Sequence, residues 1–149
     1  MAPFGRLLAA ALLFAPAASA AAPGPLRPGA VLVVENALRH RTFHFPLGRG
    51  EAFSVVSQHS IYDQPVTEDF VVDERGRIVL EAVSSPSAAV REYFGLTSAG
   101  ERHAVVRVLP EVVFRVAEGT AQRLRIGGVE RSFLAFGRHG DRLVMRAGP

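Results

Sequence analysis

Residues 53–82 read FSVVSQHSIYDQPVTEDFVVDERGRIVLEA, and the alternation in this stretch decides the fold. Side chains point to opposite faces of a strand with period two. Phe53, Val55, Ser57 and His59 therefore share one face. Val66, Glu68, Phe70 and Val72 share a second, and Ile78, Leu80 and Ala82 a third. Three consecutive segments each carry an apolar face, so this stretch is predicted to be three antiparallel strands around a common core. Two of those faces carry a polar intruder, His59 and Glu68. Charged groups are seldom buried without a partner.

The hairpin register sharpens the expectation. Asp63-Gln64 suits a two-residue turn, with Pro65 just after it. Pairing Tyr62 with Pro65 sets His59 opposite Glu68, Ser57 opposite Phe70 and Val55 opposite Val72. The same turn moved by one residue in each strand sets Ser57 opposite Glu68. Either way, His59 and Glu68 are direct or diagonal neighbours. An odd register would mix Phe53 and Val55 with Asp69 and Asp73, so the apolar pattern opposes it. Glu74-Arg75-Gly76 reads as a three-residue turn with Gly76 left-handed. It sets Val72 opposite Ile78, Phe70 opposite Leu80 and Glu68 opposite Ala82.

Outward from this core, further strands are expected at Ala30–Glu35, His40–Phe45, Ala104–Leu109, Glu111–Val116, Gln122–Ile126, Ser132–Phe136 and Arg142–Met145. Gly127-Gly128 is a hairpin signal, residues 137–140 form a second turn, and Pro110 interrupts pairing. The segment SSPSAAVREYFGL combines a serine cap, a short apolar period and Gly95 as a stop. It predicts one short helix near residues 87–94, with Val90 and Phe94 on its inner face. Short strands with tight turns indicate an all-β chain, an antiparallel sandwich or a small barrel. Residues 30–149 form a single β domain on this reading.

The amino terminus has a different character. Arg6 precedes an apolar run from Leu7 to Phe14, and Ala18-Ser19-Ala20 fits a small-residue cleavage site. Residues 1–20 thus read as a secretory signal peptide, too short in its apolar run to span a bilayer. A Pro/Gly-rich tether, residues 21–29, follows. The expected location is periplasmic or extracellular, with no integral membrane segment after cleavage. The chain has no cysteine. An exported fold of this kind relies on packing rather than disulfides, and thiolate chemistry is excluded.

All 17 basic residues are arginine, and the formal net charge is +3. The arginines concentrate after residue 100, where they suit a solvated strand face. No stacking aromatics are interleaved with them, which argues against a nucleic-acid partner.

The string FSVVSQHSIYDQPVTEDFVV resembles the signature of a small exported family known as DUF-eighteen-fifty. Its His-Ser, Pro-Val, Glu and aromatic positions are filled here by His59, Ser60, Pro65, Val66, Glu68 and Phe70. The string LPEVVFRVAEGTAQRLRIGG resembles the second half of that family. Many members carry a Gly-Ala-Gly-rich loop where this chain has SAAVREYFGL. The family is often encoded beside TRAP-type transporters that use TAXI solute-binding proteins. The resemblance implies an exported accessory protein of TRAP-type uptake. Its partner would be the transporter's membrane subunit or its solute-binding protein. The resemblance supplies no established activity.

The residues leave several chemistries to weigh. His59 and Glu68, with Ser57 and Ser60 nearby, form either a structural polar pair that fixes register or a small-ligand site. A hydrolase would use Ser57 in a Ser57–His59–Glu68 row, because Ser60 points to the opposite face from His59. No G-x-S-x-G elbow supports it, and a non-enzymatic protein is the expectation. Metal binding is not expected. His40 and His44 stand about 13 Å apart on a strand, His103 and His139 are expected in turns, and zinc generally wants three protein ligands. No cofactor is implied. Tyr62 and Asp63 mark the hairpin tip as a candidate partner contact. Tyr93 and Phe94 would either pack onto the sheet or form a contact patch.

Overall fold

The computed structural model describes residues 29–48, 50–118 and 122–148. The expected signal peptide, and the tether up to residue 28, lie outside the described residues. Ten strands and one α-helix occur among them: β1 (Ala30–Asn36), β2 (Arg41–Leu47), β3 (Ala52–His59), β4 (Gln64–Val72), β5 (Ile78–Ser84), α1 (Ala88–Tyr93), β6 (Arg102–Leu109), β7 (Val112–Arg115), β8 (Arg123–Ile126), β9 (Val129–Ser132) and β10 (Arg142–Gly148). They form a four-stranded sheet ordered β2-β1-β10-β7 and a six-stranded sheet ordered β6-β5-β4-β3-β8-β9. Every pairing is antiparallel. Both sheets remain open, so the architecture is an all-β sandwich rather than a closed barrel.

The core is the sum of the inner faces. β1 alternates without a fault, burying Ala30, Leu32, Val34 and Asn36 while its intervening residues are half-buried. Ala30, Leu32 and Val34 join Leu143 and Met145 of β10 and the inner face of the larger sheet in one cluster. At the middle of the larger sheet Phe53 lies directly opposite Phe70. Their rings stack with centroids 5.0 Å apart and planes 14° from parallel. A cross-strand aromatic pair of this kind adds about 0.5–1.5 kcal/mol beyond its buried area.

This stack also explains a correction to the register. The observed pairing sets Phe53 opposite Phe70, Val55 opposite Glu68, Ser57 opposite Val66 and His59 opposite Gln64. The face parity expected from sequence is kept, but the hairpin loop is four residues, Ser60 to Asp63, instead of two. Asp63 takes a left-handed φ of +50°, which aspartate tolerates better than most residues. Its amide donates to the His59 carbonyl at 2.8 Å. The Gln58 side chain closes the loop by donating to the Asp63 carbonyl at 2.9 Å and to its Oδ1 at 2.8 Å. The longer loop matches the two phenylalanines, which the tighter turn would have left unpaired with each other.

The second hairpin forms as expected near its turn, with Val72 opposite Ile78, Phe70 opposite Leu80 and Gly76 at φ +72°. A bulge between Asp69 and Phe70 then shifts the ladder, so Glu68 faces Val83 rather than Ala82. The extra residue, Glu81, is exposed. Another correction concerns residues 132–136. Gly127 and Gly128, at φ +54° and +75°, pair Ile126 with Val129, and the return strand is already complete at Ser132. A single 3-10 turn (Phe133–Ala135) follows and swings Phe133 and Phe136 into the core. His103, expected in a turn, lies inside β6 and is 4% exposed.

Candidate functional site

The end of the sandwich at the β3–β4 loop is built from two elements. The first is the tip of the long hairpin, which ends β3 at His59 and carries Ser60, Ile61, Tyr62 and Asp63. The second is α1. Ser87 caps it by accepting from the Val90 amide at 3.4 Å. Arg91 of α1 donates back to the carbonyls of Ser85 and Pro86, at 2.9 and 3.0 Å. Val90 is fully buried in the core and pins the helix to the sandwich. The helix stops at Gly95, whose φ is +73° and whose amide bonds the Glu92 carbonyl at 2.8 Å. Six helical residues are thus enough to carry Tyr93, with Phe94 after it, to the hairpin tip.

There the two elements meet through rings. The Tyr93 ring meets the His59 imidazole edge to face, with centroids 4.5 Å apart at 75°. Tyr62 stacks on the same imidazole at 5.2 Å. Phe94 lies 6.1 Å from His59 and 5.7 Å from Tyr93. His59 is the hub, and its Nδ1 also accepts from the Ile61 amide at 3.4 Å. The outer rings remain open to solvent: Tyr93 is 60% exposed, Tyr62 42% and Phe94 37%, with Ile61 67% exposed beside them. Tyr93 and Phe94 therefore form a surface patch rather than packing onto the sheet.

His59 and Glu68 do not form the expected pair. Glu68 lies four residues along β4 from Gln64, the partner of His59, which is about 13 Å of strand. The buried Val66 lies between them. No hydrogen bond links Ser57, His59 and Glu68 to one another among the described residues, so the row needed for a Ser57 nucleophile is not assembled. Ser60 is exposed in the hairpin loop. Glu68 instead sits on the inner face between Val55 and Val83, both essentially fully buried. Desolvation pushes its carboxyl up to about 7. No described residue hydrogen-bonds it.

Two further polar groupings were not singled out from sequence. His103 Nδ1 lies 2.7 Å from Ser98 Oγ, and its Nε2 lies 2.8 Å from the Gly100 carbonyl, pinning the loop between α1 and β6. Buried Asn36 and Asp141 form a knot with the exposed Arg39 at the far end of β1. The His103 contacts are local, with partners three and five residues away, whereas Asp141 is brought to Asn36 and Arg39 only by the fold. No group of three metal-ligating side chains gathers among the described residues. No helix among them is long and apolar enough to cross a membrane.

Fold and site together define an all-β sandwich with an exposed aromatic tip. No protein-family model, curated protein or solved structure matches the chain.

Proposed function

We propose that this protein is an exported, non-enzymatic β-sandwich that binds another protein through its aromatic tip, as an accessory to TRAP-type solute uptake. The cluster of His59, Tyr62, Tyr93 and Phe94 carries this reading. Its rings contact one another at 4.5–6.1 Å, so they form one surface rather than scattered side chains. Contiguous exposed apolar patches mark interaction sites, and tyrosine supplies large contact area at low entropic cost. The leader-like pattern of residues 1–20 supports export to the periplasm or beyond. The resemblance to the DUF-eighteen-fifty family supports the transport setting, with the TRAP membrane subunit or its solute-binding protein as partner.

Deleting the gene and restoring it as wild type or as Tyr62→Ala/Tyr93→Ala tests the reading. The double variant should be exported, melt close to wild type and fail to restore uptake by the adjacent transporter. Full uptake with the double variant, or a cytosolic protein retaining Met1, would overturn it.

A further inference from the structure

We propose that the aromatic tip recognises a cationic segment of its partner, a stretch of polypeptide that presents arginine or lysine among apolar side chains. This inference rests on the partner-binding reading above. Aromatic faces carry negative charge density and attract guanidinium and ammonium groups within about 6 Å of the ring centre. The molecule uses this contact itself: the Arg41 guanidinium carbon lies 4.8 Å from the centre of the Phe43 ring.

The formal charges beside the rings point the same way. Asp63 directly follows Tyr62, and Glu92 directly precedes Tyr93. Both are exposed, and neither forms an ion pair among the described residues. Asp63 accepts only from the neutral Gln58 amide through its Oδ1. Several carboxylates elsewhere are neutralised by arginine. Asp69 is paired with Arg102, Glu111 with Arg142 and Arg146, and Glu130 with Arg123 and Arg125. Arg91, the arginine nearest the rings in sequence, spends its guanidinium on the Ser85 and Pro86 carbonyls. This end of the molecule thus sets two exposed carboxylates without ion pairs next in sequence to its exposed tyrosines, against the single cation of Arg91. An anionic bilayer or an acidic peptide meets the wrong sign there. Ile61 adds an apolar contact for the side chains that flank the cation.

The test uses the mature chain and its own fluorescence. The protein has two tyrosines and no tryptophan, so tyrosine emission reports on this patch alone. The probe is a short peptide alternating arginine with leucine, compared with the same peptide carrying glutamate for arginine. The arginine peptide should change the emission saturably and the glutamate peptide should not. Asp63→Asn/Glu92→Gln should weaken binding about tenfold, as should raising salt from about 50 to about 500 mM. Asparagine accepts the left-handed conformation at residue 63, so the loop is preserved. Equal binding of the two peptides, no effect of the double variant, no saturable binding, or preferential binding of phosphatidylglycerol vesicles would overturn the inference. If the peptide fails while Tyr62→Ala/Tyr93→Ala still abolishes uptake, only the cationic partner is wrong. If that variant supports uptake, the partner-binding reading falls as well.

Discussion

Asn36 donates to the Asp141 carboxylate at 2.9 Å, joining the end of β1 to the residue before β10 across 105 positions of sequence. Its Nδ2 also reaches the Phe136 carbonyl at 3.1 Å, and its Oδ1 accepts from the Arg39 amide at 3.2 Å. Arg39 Nε and the Arg138 amide complete the carboxylate's shell, at 3.0 and 2.9 Å. Asn36 is fully buried, and the backbone at Gly137 passes so close that a Cβ there would meet Asn36 Nδ2 at 2.5 Å.

Removing the Asn36 amide leaves buried polar groups without partners. Asn36→Ala should therefore cost about 1–3 kcal/mol in urea unfolding. Gly137→Ala, which crowds the same amide, should cost a comparable 1–3 kcal/mol. A variant within about 0.5 kcal/mol of wild type at either position would show that the knot does not hold the two strand ends.

The same knot predicts an acid limb. Hydrogen bonds from the Arg138 amide, Arg39 and Asn36 hold the Asp141 carboxyl well below the usual carboxylate range. A lowered folded value stabilises the fold above the unfolded value, near 3.9. That stabilisation is lost as pH falls below about 4 toward the folded value. Asp141→Asn should be less stable than wild type at neutral pH, with the difference in melting temperature closing as pH drops below about 4. A difference that is constant with pH would refute this.

Glu68 predicts the opposite slope. Its folded value of about 7 lies above the ordinary 4.5, so its contribution is fully present below the unfolded value. It is lost as pH rises from there through about 7. Glu68→Gln removes the ionisation but keeps the shape. It should flatten the stability profile between about pH 5 and pH 8, and at pH 8 exceed wild type by about 3 kcal/mol. Loss of stability at pH 8 would mean that the carboxylate has a stabilising partner after all.

Val106 offers a test of strain. It is a β-branched residue at φ +51° and 73% exposed, where such side chains are outliers. It sits where the β5–β6 ladder shifts register, between the Leu80–Arg107 and Ala82–Ala104 pairs. Val106→Asn should stabilise the protein by about 0.5–1 kcal/mol, because asparagine tolerates this conformation. Unchanged or lower stability would assign the valine a packing role.

Period-two alternation alone determined that this chain is all-β, because a strand's faces are set by the parity of its residues. That parity holds for Phe53, Val55, Val66, Phe70, Val72, Ile78 and Leu80 on one core face. Glycine and serine signals likewise located the 74–76 turn, the Gly127-Gly128 hairpin and α1, since these depend on local backbone freedom and capping. Parity does not count loop residues, however, and a shift of two leaves every face unchanged. The Phe53–Phe70 stack chose the four-residue loop, and that choice moved His59 away from Glu68. It delivered His59 to Tyr93 and Phe94 at the end of a helix more than thirty positions later. The knot of Asn36 with Asp141 lies beyond sequence for the same reason. Its members make no pattern along the chain and become partners only when β1 and β10 pair.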